Sequence, residues 1–155
     1  MPFPNWLKAL MLLAAAHSAP WVAARLLGSK LAAPIDAGMT FVDGKRLVGD
    51  HKTWRGVIAT TLICAVVAPL LGYSLGIGLA FAALAVTGDV VASLIKRRLS
   101  LAPGTEVPGL DQIPEALAPL LVLAAALGIG VSTALMLTGV FCLLDLAALP
   151  LRHDH

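Results

Sequence analysis

Asp89 heads the run Gly88-Asp89-Val90-Val91-Ala92-Ser93-Leu94-Ile95-Lys96-Arg97-Arg98, inside a stretch otherwise apolar enough to lie in lipid. At about 100° per helical residue, Asp89, Ser93, Lys96 and, less closely, Arg97 fall on one face. One edge of such a helix carries a carboxylate, a hydroxyl and cations near the point where it leaves the membrane. An ionisable group inside a spanning segment opposes insertion by about 2.5–3.5 kcal/mol, so its presence marks a functional site. The structural alternative is an Asp paired with a nearby Lys or Arg to hold helices together.

Two further polar islands flank this run. The first, residues 34–56, contains Asp36, Asp43-Gly44, Lys45, Arg46, Asp50, Lys52, Thr53 and Arg55, with Gly38, Gly49 and Gly56 spaced between them. Glycines that permit close backbone approach, interleaved with cations, offer amides and positive charge to a polyphosphate. A basic loop with ordinary turns has the same composition. The second island, residues 101–115, is rich in Pro and Gly and places Asp111 where the chain re-enters the apolar region. Asp111 either caps the helix that follows, with Pro114 and Glu115 in its first turn, or meets Asp89 across a metal. Two carboxylates beside phosphate-binding cations are what magnesium-dependent phosphoryl or nucleotidyl transfer requires.

These islands need a frame, and composition dictates it. Of 155 residues, 59% are hydrophobic and 13% charged, with a mean hydropathy of +0.89. This predicts an all-α integral membrane protein. A spanning helix needs about 20 apolar residues, and five stretches approach that length, at about 6–27, 57–73, 75–95, 113–127 and 132–149, forming one domain over 1–155. Gly72-Tyr73-Ser74 and Gly128-Ile129-Gly130 make tight antiparallel turns. Gly72, Gly76 and Gly78 invite close helix packing near the first of them. Strict alternation, the mark of an outer-membrane barrel, is missing.

Ten of the eleven Lys and Arg lie in the two polar loops, after the last span or, as Arg25, at the inner end of the first; neither turn carries any. The positive-inside rule then places both loops and the carboxyl terminus in the cytoplasm and the amino terminus outside, with the active site facing the cytoplasm of a multi-pass cell-membrane protein. No cleavable leader is expected, since Pro2 and Pro4 replace a basic start. Trp6, Trp21 and Trp54 suit the interfaces. Cys64 and Cys142 fall in separate spans and outline neither a disulfide framework nor a zinc site. A net charge of +2 calls for no nucleic-acid partner. Asp145 is expected to pair with Arg152 or reach the interface, and His153 and His155 fall in a tail.

The order KTWRG, GDVVASLIKRR and PGLDQ resembles the membrane-bound CTP-dependent cytidylyltransferases, most closely the CDP-archaeol synthase branch. Members of that branch are similar short five-span proteins with a PIDxG, GxRxxGxxKTxRG, GDxxxSxxKRR and DQ series. The matching stretches here are residues 34–38, 44–56, 88–98 and 111–112. The resemblance covers roughly residues 10–120. The larger phosphatidate cytidylyltransferases continue instead through a PGHGGxxDRxD segment; this chain has Pro108-Gly109-Leu110-Asp111-Gln112, lacks the His, and has Glu115 near the place of the final Asp. His17, three residues before Pro20, stands where the archaeol branch usually has an Asn before a Pro.

The resemblance implies that CTP and a lipid phosphate give a CDP-lipid and pyrophosphate. On that reading Asp89 and Asp111 hold Mg²⁺. Lys52 and Arg55 neutralise the triphosphate, with Thr53 donating nearby. Ser93, Lys96 and Arg97 orient a phosphate at the membrane face, and Gln112 belongs to the substrate contacts. Asp36 and Asp50 serve as outer contacts or nucleotide ligands. The acceptor is an ether-linked isoprenoid or an ester-linked diacyl phosphate, and a homo-oligomer is compatible with the sequence. The rival readings are a lipid or polyprenol kinase and a small non-enzymatic membrane protein.

Overall fold

The computed structural model describes residues 3–102, 105 and 107–153, with side chains to residue 148. It is helical, and no strand is present among the described residues; two isolated bridges, Pro34 with Thr53 and Thr40 with Arg46, brace the first loop. The helices are α1 (Asn5–Leu27), α2 (Trp54–Leu70), α3 (Leu75–Arg98), α4 (Gln112–Val122), the single turn α5 (Ala124–Leu127) and α6 (Val131–His153). Among the described residues α1, α3 and residues 131–148 of α6 are long and apolar enough to cross a membrane, and α2 and α4 are shorter apolar helices.

Local chemistry sets the helix ends. The Thr53 hydroxyl accepts the Gly56 N–H at 3.3 Å, which starts α2 three residues before the expected boundary and leaves Leu71 to Ser74 as its exit turn. Ser74 does the same for α3, accepting from Ile77 N–H at 3.2 Å. The fourth apolar segment, expected as one helix, breaks at Leu123, whose backbone turns to φ −100° and ψ 11°. Helix α6 runs on to His153, where a tail was expected; the Arg152 side chain and His155 lie outside the described residues.

The helices pack in chain order, α1 on α2, α2 on α3, α3 on α4 and α4 on α6, and contact between α1 and α6 closes the bundle. The core joins Leu12, Leu13 and Ala16 of α1 to Cys64, Phe81, Ala85, Ala116, Leu120 and Phe141. Small residues let backbones approach. A Cβ at Gly78 would lie 2.5 Å from the Cys64 carbonyl oxygen, and one at Gly88 would lie 2.1 Å from that of Pro114. Of the glycines expected to pack helices together, only Gly78 does so; Gly72 instead takes φ +86° in the turn. At the end of the bundle poor in basic residues, the Asn5 amide donates to the Gly128 carbonyl at 3.1 Å and the Tyr73 hydroxyl to that of Leu127 at 3.2 Å. The polar loops gather at the opposite end.

Candidate active site

The loop before α2 folds around one carboxylate. Asp36 is 3% exposed and accepts from the Arg46 guanidinium at 2.7 Å and from the backbone N–H groups of Gly49, Val48 and Gly38 at 3.0, 3.1 and 3.2 Å. Arg46 holds this carboxyl well below the usual carboxylate range, against the opposing effect of burial and with help from the amides of Gly49, Val48 and Gly38. Arg46 also reaches Asp50 at 3.0 Å, and its own pKa is raised by Asp36. The Ile35 N–H donates to the Lys52 carbonyl at 2.9 Å and the Trp54 N–H to that of Ala33 at 3.0 Å. This pairing delivers Lys52 to the start of α2. Asp36, expected as an outer contact or a nucleotide ligand, lines neither cavity described below and organises the loop that presents Lys52.

Lys52 reaches both carboxylate oxygens of Asp89 at 2.5 Å. Lys96, about two turns further along the same face of α3, meets Asp111 at 2.6 Å and donates to the Thr105 carbonyl at 3.1 Å. Asp111 does not cap α4 with its side chain; its other oxygen accepts the Val107 N–H at 3.0 Å. Arg97 is 6% exposed. Its terminal nitrogen donates to the Ala102 carbonyl at 2.9 Å, while its Nε is buried without a hydrogen-bond partner. Among the described residues it has no carboxylate partner, an expensive state for a buried cation that an anion would relieve. Arg55 donates to the Gly28 carbonyl and, at 3.2 Å, to that of Lys30, closing the end of α1.

Two cavities share these residues. The smaller, about 240 Å³, is bordered by Lys52, Asp89, Ser93, Lys96, Arg97, Asp111 and Gln112. The predicted face of α3 is therefore real: all four of its chemical residues border one space. The larger, about 770 Å³, adds Asp50, Thr53 and Arg55 to an apolar wall of Pro20, Trp21, Val86, Val90 and Ala148. His17, His51, Lys52, Asp89 and Glu115 border both, so the cavities meet there.

At this junction the His17 Nδ1 lies 3.0 Å from Glu115 and its Nε2 lies 3.1 Å from Asp145. The Gln112 amide donates to the second Asp145 oxygen at 2.7 Å and accepts the Gly109 N–H at 2.8 Å. Asp145 thus points at α1 and α4. Ionised carboxylates only accept, and a neutral imidazole has one N–H, so in that form the ring donates to one of the two. His51, which borders both cavities, carries no sequence motif that separates it from an ordinary loop histidine. The His17 cluster joins residues 98 and 128 positions apart, which spacing cannot reveal.

A family model described as CarS-like, CDP-archaeol synthase, matches residues 5–149. The CDP-archaeol synthase of Pyrococcus furiosus is 44% identical over 89 residues, covering 51% of this chain and 53% of its own. That of Sulfurisphaera tokodaii is 41% identical over 106 residues, covering 65% and 60%. The chain spans about half to three fifths of the length of these curated relatives. The solved structure of an intramembrane enzyme for archaeal membrane lipids biosynthesis is similar with a TM-score of 0.77 at 29% identity, covering 92% of this chain and 90% of that one. With several long apolar helices and a fold like that of an intramembrane enzyme, this is a multi-pass membrane protein.

Proposed function

The chain belongs to the CDP-archaeol synthase family, and from that premise we propose that it transfers the cytidylyl group of CTP to a membrane lipid phosphate, releasing pyrophosphate. We take residues 1–155 as one transmembrane domain whose five apolar segments all cross, with the basic end in the cytoplasm where CTP is available. The observation that carries the reading is the meeting of a small polar cavity, lined by both carboxylates and cations, and a larger, mostly apolar one at Lys52 and Asp89. A reaction that joins a polyphosphate to a lipid headgroup needs such a junction.

The linings support a different sorting of the cations from that expected from sequence. Ser93, Lys96 and Arg97 border the small polar space and suit the triphosphate. Thr53 and Arg55 border the apolar cavity and suit the lipid phosphate. A lipid phosphate oxygen attacks the α-phosphorus, a new P–O bond forms, and the bond to the β-phosphate oxygen breaks as pyrophosphate leaves with the electron pair. The nucleophile is already anionic, so positioning and charge neutralisation supply most of the catalysis.

The residues fit magnesium. Asp89 and Asp111 are hard oxygen donors on one cavity, and magnesium takes one or two carboxylates and leaves its other positions to water and phosphates. When bound, the ion would neutralise the triphosphate and make the α-phosphorus more electrophilic. Lys52 and Lys96, which hold these carboxylates in the structure, are then placed to turn toward the phosphates.

The test is purified protein with Mg²⁺ and CTP carrying separate labels in the base and the γ-phosphate, offered archaetidate-type and phosphatidate acceptors. Base label in the lipid is the expected result. A γ-label there instead means a kinase. No transfer from CTP to any acceptor overturns the proposal. Asp89→Asn and Asp111→Asn should each lower turnover by about a hundredfold or more.

A further inference from the structure

In the loop between α1 and α2, Met39, Phe41 and Val42 are apolar yet 56%, 52% and 96% exposed. They do not sit on slack chain. The Phe41 N–H donates to the Lys45 carbonyl at 2.8 Å, the Gly44 N–H to that of Phe41 at 2.9 Å and the Leu47 N–H to that of Met39 at 3.0 Å, a hairpin closed by the Thr40 and Arg46 bridge. Gly44 takes φ +74° at its turn, and Asp43 accepts the Lys45 N–H at 3.1 Å.

This hairpin is fastened to the end of α3. Arg98 donates to Asp43 and to the Arg46 carbonyl, each at 2.7 Å, and its guanidinium lies 4.9 Å from the centre of the Phe41 ring. Lys45 reaches the Ser100 hydroxyl at 2.5 Å. Upstream on α3, Val91, Leu94 and Ile95 are exposed, and spacings of three and four put them on the face of Arg98. In a membrane helix that outward apolar stripe faces lipid. Leu99 extends it, and the hairpin tip lies where it ends.

We propose that residues 39–42 form an interfacial anchor: Phe41 and Val42 enter the boundary between headgroups and acyl chains of the bilayer that α3 crosses. Lys45 and Arg98 lie at the level of anionic headgroups, the usual pairing of apolar and cationic side chains at a membrane surface. The bilayer is the occupant because the tip continues a lipid-facing surface of the same chain and is ringed by cations. The anchor holds the loop that presents Lys52 at headgroup depth, where a lipid phosphate arrives.

The proposal is tested on full-length protein in nanodiscs of phosphatidylcholine and phosphatidylglycerol. A bimane label is placed on Val42→Cys in a Cys142→Ala background, Cys64 being fully buried. Lipid carrying a nitroxide near the headgroup should remove about half of the emission or more, and aqueous iodide should quench far less than it quenches free label. Free quenching by iodide with no effect of the lipid nitroxide means a solvated tip and overturns the anchor. Shielding from both quenchers means a protein contact and overturns it equally. Met39→Cys, on the same tip, repeats the measurement should the first label prevent purification.

Discussion

His17 is the residue whose removal should be felt most outside the expected ligand set. Its ring separates Glu115 from Asp145, whose side chains are 12% and 5% exposed. Replacing it with Phe leaves the edge contact with Phe141 in reach but removes the ring nitrogens from between two carboxylates, Asp145 keeping the Gln112 amide. We expect His17→Phe to destabilise the protein by about 1–3 kcal/mol, less than for a fully buried pair because His17 is partly open. Adding Glu115→Gln and Asp145→Asn should recover most of that loss, read from denaturant or thermal unfolding in detergent; no recovery would mean the ring acts through packing alone. Asp36 makes a prediction about pH. Its folded-state pKa lies below the unfolded value of about 3.9, so its stabilisation is complete above that value and disappears as pH falls toward the depressed folded one. The Val48 and Gly49 amides should therefore stay protected from hydrogen exchange down to about pH 4, and lose protection at neutral pH in Asp36→Asn. The motif containing Asp36 was legible in the sequence, but the choice between an outer contact and a nucleotide ligand was not. Whether a carboxylate meets a ligand or its own loop depends on contacts with residues 38, 46, 48 and 49 that the motif does not rank.

At the scale of elements, two glycines on α3 mark close crossings in the bundle, and they should behave differently. A methyl at Gly88 meets the carbonyl carbon and oxygen of Pro114 at 2.4 and 2.1 Å, and backbone atoms cannot step aside. Gly88→Ala must push α3 from the start of α4, moving Asp89 relative to Asp111. A methyl at Gly78 meets the Cys64 carbonyl and the Ala68 side chain at 2.5 and 2.8 Å, near the far end of α3. Both changes should destabilise by about 1–3 kcal/mol, but only Gly88→Ala should also lower cytidylyl transfer per folded molecule, by about tenfold or more. Equal residual activity in the two folded variants would sink the claim that this crossing sets the site. The periodicity of α3 was readable because 100° per residue is a local property. The crossing partner of Gly88 was not, since Pro114 lies in another helix. The broken fourth helix was missed for a related reason: hydropathy reports an apolar length but does not register the backbone change at Leu123 that interrupts it.

At the scale of the whole molecule, the two ends of the bundle do different work. The end held by Asn5 with Gly128 and Tyr73 with Leu127 is short and closed, while the other gathers both polar loops over two cavities. Hydropathy and the distribution of basic residues made that asymmetry visible, because both are sums over many positions. The division into a polar and a mostly apolar cavity was not visible, because each wall mixes residues from several helices and loops. That division gives the sharpest test of how the molecule is used. Val86 and Val90 are one turn apart on α3 and border only the larger cavity. If lipid chains occupy it, Val86→Phe narrows the space with a side chain as apolar as the one removed, so that crowding is the main change. The KM for the lipid phosphate should rise by about tenfold, the loss of some 1–2 kcal/mol of acceptor binding, with the KM for CTP within about threefold of its starting value. A larger rise for CTP than for the lipid would place the nucleotide in the apolar cavity and invert the arrangement. A parallel rise for both would mean that the two spaces act as one pocket, and the junction at Lys52 and Asp89 would no longer divide lipid from nucleotide.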